Sequence, residues 1–169
     1  DTGFDRSYGR NPYPGYDDAD SLPVLFEGDV DGRYTAMTRI VGIERDDDAL
    51  AVPFFVLEES GVVEADLAGS ELVVFWAPGT ASALDAFEVA DGDDVGATGV
   101  FVPVVDGRTL SFAAAGDDAD GGAGGLDGAF VDAETGSTWN VLGRATDGEL
   151  AGTRLEQIPH VDTFWFAWS

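Results

Sequence analysis

The chain has 169 residues, with eight arginines and no lysine against 33 aspartates and glutamates, one histidine, no cysteine and a net charge of −25 at pH 7. The absence of cysteine excludes disulfides and thiolate chemistry, eight scattered arginines make no phosphate-binding stripe and so argue against nucleic acid, and no apolar run is long enough for a helical membrane span. A hydrophobic content of 44 %, with 11 Phe, 4 Trp and 4 Tyr, excludes a disordered acidic tail and predicts one globular domain with a real core.

Residues 1–23, DTGFDRSYGRNPYPGYDDADSLP, carry the turn dipeptides Asn11-Pro12 and Pro14-Gly15 without periodicity. They read as an irregular connector before a single β-rich domain over 24–169. The stretch 38–45, TRIVGIER, predicts a strand, Asp46–Asp48 a turn and Ala49–Pro53 a second strand, which makes a hairpin. Residues 54–60, FFVLEES, predict a short helix ended by Gly61. The run LVVFWA, 72–77, is apolar on both faces and predicts a central buried strand. Thr80 or Ser82 would cap a short helix within 78–88.

A second hairpin is expected from VFVPVV (100–105) and TLSFAAA (109–115) around Asp106-Gly107. The Gly/Asp-rich stretch 116–128 reads as a loop. Residues 129–145 predict two short strands around a turn at Glu134–Ser137, TRLEQIP (153–159) a further strand, and HVDTFWFAWS a closing helix opening at Asp162. Short strands, 23 glycines and no strong helical period predict an α+β, mostly-β class: short strands and hairpins in one compact domain with a few short helices.

The charge has a physical reading of its own. In dilute buffer a surface of net charge −25 repels itself and destabilises the compact state. At about 1 M salt the Debye length shrinks to about 3 Å and the repulsion is screened. Acidity spread along the whole chain, rather than gathered in one block, therefore predicts a halophilic protein.

Candidate chemistry is sparse. His160, the only histidine, stands two residues from Asp162 and is a candidate base oriented by a carboxylate; a structural hydrogen bond is the plainer alternative. Ser60, Ser111 and Ser137 are candidate nucleophiles, but none sits in Gly-x-Ser-x-Gly. Glu27, Asp29 and Asp31 alternate like the start of a calcium loop, yet Thr38 stands where the bidentate Glu belongs. Asp117, Asp118 and Asp120 have no ordered spacing, and Asp85, Glu88, Asp91, Asp93 and Asp94 offer carboxylates without singling out a pair. No cofactor is predicted; at most weak Ca²⁺ or Mg²⁺, or loosely held monovalent cations, are expected. Trp76, Trp139, Trp165 and Trp168 with Phe164 and Phe166 are candidates for an aromatic ligand platform, with core packing the plainer alternative. Phe164, Trp165, Phe166 and Trp168 cannot all face inward on one helix, so an interface is a candidate role for them.

Two blocks carry a resemblance. Asp132, Thr135-Gly136-Ser137 and Trp139, then Gly143, Gly148, Leu150, Gly152 and Leu155, then Trp165 and Trp168, resemble the C-terminal block of the domain of unknown function 3179 family. The order strand, turn, strand, helix, Gly, strand over IVGIERDDDALAVPFFVLEESGVV…LVVFW is also similar to that family. The opening DTGFDRSYGRNPYPGY resembles the connector after a first copy of the domain in long haloarchaeal members. Many members carry Tyr-Cys-Pro-Leu-Cys after the central strand, where this chain has Phe75-Trp76-Ala77-Pro78-Gly79-Thr80. The resemblance implies export, no activity that carries over, and a C-terminal copy lacking the Cys motif. Its Asp1 start within loop-like sequence suits a segment of a longer protein, with the rest of that chain or a like domain as partner.

Three functions are in view: a non-enzymatic surface or extracellular binding or structural module; an enzyme or metal-dependent protein with its site near Trp139, Arg144 and His160; or a second copy that props the first.

Overall fold

A computed structural model of the chain describes residues 18, 23, 26, 28–80, 94–115 and 130–169. The expected connector over 1–23, most of the expected helix at 78–88 and the Gly/Asp-rich stretch 116–128 lie outside these residues.

Strands β1 (Arg39–Arg45) and β2 (Asp48–Pro53) form the expected hairpin, with Asp46-Asp47 as its turn. Helix α1 (Phe54–Ser60) ends where Gly61 adopts φ 68° and its N–H donates to the Leu57 carbonyl. Glycine enters this left-handed region without the steric penalty of a Cβ. Strands β3 (Val62–Leu67) and β4 (Ser70–Ala77) then form a hairpin. Strand β5 (Ala97–Val102) pairs with β4 on its other side.

The hairpin expected over 100–115 divides. Its Asp106-Gly107 turn forms, with both residues at positive φ, but joins only β6 (Val104–Val105) to β7 (Arg108–Thr109). Pro103 is the physical reason: it has no N–H for a ladder, and its carbonyl instead accepts the Leu110 N–H at 2.7 Å. The flanking residues go to different sheets, β5 to one and β8 (Phe112–Ala114) to another.

Strands β9 (Phe130–Asp132) and β10 (Thr138–Trp139) flank the turn expected there, and β11 (Ala145–Asp147) completes their sheet. The strand expected at 153–159 shortens to β12 (Glu156–Gln157), preceded by an isolated bridge from Arg154 to Arg144.

The closing helix also begins later than expected. Residues Val161–Phe164 form β13, and only Trp165–Trp168 form α2. Pairing with β1 from Arg39↔Phe164 to Gly42↔Val161 satisfies backbone groups that a first helical turn would leave open.

The strands form three sheets of three or four strands, ordered β13-β1-β2, β12-β5-β4-β3 and β11-β10-β9-β8, besides the small β6-β7 pair. The β12-β5-β4-β3 sheet lies between the other two. On one of its faces Val73, Phe75 and Phe101 pack with Phe112, Phe130 and Trp139. On the other, Leu72, Val74 and Val100 pack with Val41, Ile43, Val52 and Leu57. Successive side chains on a strand point to opposite faces, so LVVF supplies both cores at once. Phe75 stacks on Phe130 with ring centroids 4.1 Å apart. Burying one such ring contributes about 1.5–3 kcal/mol.

Candidate functional site

The alternation of β1 builds the site. Val41 and Ile43 face the core, so Gly42 and Glu44 lie on the opposite face, two residues apart. Gly42 pairs across to Val161 on β13. Helix α2 turns back over this face, held by N–H groups of Trp165 and Phe166 that donate to the carbonyls of Thr38 and Ala36 at 2.8 and 2.9 Å. The Trp165 indole donates to the Asp31 carbonyl at 2.7 Å. So anchored, α2 lays the six-membered ring of Trp168 against Gly42, where a Cβ would lie 2.5 Å from Cζ3.

Beside that contact, Gly42, Glu44, Pro159, His160, Val161 and Trp168 line a hollow of about 240 Å³. Val161 and Glu44 are exposed, and His160 and Trp168 half-buried. The His160 ring bonds through Nδ1 to the Ile158 carbonyl at 3.0 Å. A carbonyl only accepts, so Nδ1 donates the hydrogen of this bond. Asp162 does not orient this imidazole. Its two carboxylate oxygens accept the Thr98 hydroxyl at 2.9 and 2.8 Å.

Gly42→Ala is expected to push Trp168 off the sheet and cost about 1–3 kcal/mol. A lower melting temperature with red-shifted indole emission is the expected result; unchanged emission would show that Trp168 does not rest there.

Trp139 and Arg144 are not among the walls of this hollow. Trp139 is fully buried, and its indole donates to Asp132 Oδ2 at 2.9 Å. Asp132, also fully buried, accepts the Thr135 N–H at 2.6 Å, the Thr135 hydroxyl at 2.8 Å and the Ser137 N–H at 3.2 Å as well. Burial by itself raises the pKa of this carboxyl, but the indole, the Thr135 amide and hydroxyl and the Ser137 amide outweigh it, so the net shift is downward. Ser137 is equally committed. Its Oγ accepts the Leu150 N–H at 3.0 Å and bonds with the Thr135 hydroxyl at 2.7 Å. Arg144 is exposed, with its N–H donating to Asn140 Oδ1.

Of the closing aromatics, Trp165 is buried, while Phe164, Phe166 and Trp168 are half-buried. Covers come from the chain itself. Arg33 lies 4.8 Å from the Trp165 ring centroid, Tyr34 meets that ring edge-on, Arg39 sits over Phe164 and Phe26 packs on Phe166. Asp31 pairs with Arg33 at 2.9 Å, and Asp29 is exposed. Asp94 accepts N–H groups from Gly79, Thr80 and Gly96 at 2.6–2.9 Å. Desolvation by neighbouring groups raises its pKa, and those amides reverse the shift to a net lowering. Ser60 donates to the Val56 carbonyl within α1, and the Ser111 N–H donates to Glu134. Glu27, Asp85, Glu88, Asp91, Asp93, Asp117, Asp118 and Asp120 lie outside the described residues. Among the described residues no group of three or more His, Asp or Glu is arranged to hold a metal ion.

Sequence reasoning passed over Gly42 and Glu44. A signal was present for the first: a glycine inside an apolar strand marks a close approach by another element. Nothing in the sequence places Glu44 on the same hollow as His160, because that juxtaposition depends on β13 pairing with β1.

A family model described as protein of unknown function (DUF3179) matches residues 1–169, the whole chain. No curated protein and no solved structure gives a match.

Proposed function

Because the chain belongs along its whole length to this DUF3179 family of proteins of unknown function, we propose that it is a non-enzymatic binding module of a larger assembly, with the Trp168 hollow as its contact site. The observation that carries this reading is the bonding of the polar groups first in line for catalysis. Asp132 and Ser137 are buried and tied to the turn they stabilise. His160 is tied to its own backbone, and Asp162 to Thr98. A nucleophile needs a base within about 2.6–3.2 Å and a third group to orient that base, whereas these groups are spent on structure. The hollow, by contrast, presents the Glu44 carboxylate, for which no hydrogen bond or ion pair is recorded among the described residues.

A thermal-shift screen of small solutes tests this. A ligand at 100 times its Kd stabilises a folded protein by about 2.7 kcal/mol, which for this chain length raises Tm by roughly 5–10 °C. The expected hit acts on the wild type, has a smaller effect in Glu44→Gln, and is recovered chemically intact after long incubation. Conversion of the hit into a product would replace the module by an enzyme.

The module is further proposed to work in concentrated salt, outside the cell or on its surface, beside the rest of its own chain or a like domain. The even spread of acidic residues and the family resemblance support this placement. Protease added to intact cells should degrade it; full protection would place it inside.

A further inference from the structure

The Trp168 hollow has a chemical preference, and we infer that it is a binding site for an alkylammonium head group. This rests on reading the hollow as the contact site. Two of its walls, the Glu44 carboxylate and the Trp168 indole, are electron-rich. Among the described residues the Glu44 carboxylate has no hydrogen-bond or ion-pair partner, and Trp168 has no aromatic or cationic one; both line the hollow with His160. His160 spends its Nδ1–H on the Ile158 carbonyl, so that nitrogen gives no donor to a ligand. An anion would meet the Glu44 carboxylate and the Trp168 π cloud, and be repelled by both.

A cation with an apolar skin fits all six residues. Its charge lies against Glu44 and the indole, as in cation–π recognition of ammonium groups, and its methyl or methylene groups contact Pro159 and Val161. The size agrees. About 240 Å³ is below the roughly 300–1,000 Å³ of pockets for drug-sized ligands, and suits one head group. Trp165 and Phe164 nearby are already covered by Arg33 and Arg39, so this end of the protein shows the same chemistry satisfied internally twice and left open once.

The head group has two possible sources, a free methylated ammonium solute or a lysine side chain of a partner. In 5-fluorotryptophan-labelled protein kept in concentrated KCl, Trp168→Phe assigns the Trp168 resonance. Choline, Nα-acetyl-lysine amide and the uncharged choline isostere 3,3-dimethylbutan-1-ol are then titrated. The Trp168 signal should move saturably with a cation, with a Kd near the millimolar range that corresponds to about −4 kcal/mol. Glu44→Gln, an exposed change that leaves the core alone, should weaken binding roughly threefold to tenfold. Tighter binding of choline assigns the site to a solute, and tighter binding of the lysine amide to a partner side chain. If the isostere binds as well as choline, the cation preference is wrong, while the hollow stands as a contact site. If no probe moves the Trp168 signal, both the preference and the reading of the hollow fall.

Discussion

Transferred from about 1 M salt to about 10 mM, the chain is expected to lose most of its stability. The Debye length grows from about 3 Å to about 30 Å over that range, so carboxylates across the molecule begin to repel one another. Two unit charges about 10 Å apart in water cost about 0.4 kcal/mol unscreened. Summed over the pairs in a chain of net charge −25, the repulsion becomes comparable with the whole ~5–15 kcal/mol of a typical domain. Exposed groups such as Asp46, Asp47, Asp48, Glu58 and Glu59 add to it, and eight arginines are too few to offset 33 acids. Circular-dichroism melts across a KCl series should show Tm falling steadily as salt is withdrawn. Sucrose at matched osmolality should fail to restore it, since it screens nothing. A chain equally compact and heat-resistant after desalting would refute the proposal of salt adaptation.

Asp132→Ala is expected to be the most damaging single substitution. It removes the acceptor for the Trp139 indole, the Thr135 amide and hydroxyl and the Ser137 amide, all beside a carboxylate with no solvent access. Breaking a buried charged network typically costs about 3–5 kcal/mol, which for this chain length lowers Tm by roughly 6–20 °C. Asp132→Asn should fall between, because its amide keeps one acceptor and sets two donors against donors.

The pH dependence follows with a definite sign. The folded-state pKa of Asp132 lies below its ordinary value, so its contribution is fully present above the unfolded carboxylate pKa of about 3.9. It is lost as pH falls through the lower folded value. The wild type should therefore destabilise in acid below about pH 4, and Asp132→Asn should show a shallower acid limb. Equal acid limbs in the two proteins would remove Asp132 from the account.

Where local chemistry dominates, the fold was legible. The strand–turn–strand–helix run from Arg39 to Ser60 reads directly from alternation, an acidic turn and a terminating glycine. The central place of β4 reads from its two apolar faces. The hairpin over 100–115 misled, because Asp106-Gly107 signals a turn while Pro103, three residues earlier, sends the longer strand elsewhere. The closing segment misled for a different reason. Aromatic residues near a chain end suit a helix as well as a strand, and the edge of β1 decided the matter.

The candidate site was legible only in fragments. His160 and Trp168 were singled out, but Asp162 beside His160 in sequence turns to Thr98 instead. Trp139 and Arg144 belong to a different part of the molecule. Glu44 looked like one more acid among 33, since side-chain chemistry cannot tell a carboxylate on a hollow from one on open surface.

By itself, then, the sequence determined the charge, the mostly-β class, the first hairpin and the family, because each rests on composition or on contacts between neighbours along the chain. Only the tertiary structure decided that β13 returns to β1 across more than a hundred residues, that α2 folds Trp168 onto Gly42, and that Glu44 and His160 thereby share one hollow. Those pairings are set by which strand edge and which uncovered face remain open once the rest has packed, and no local pattern records that.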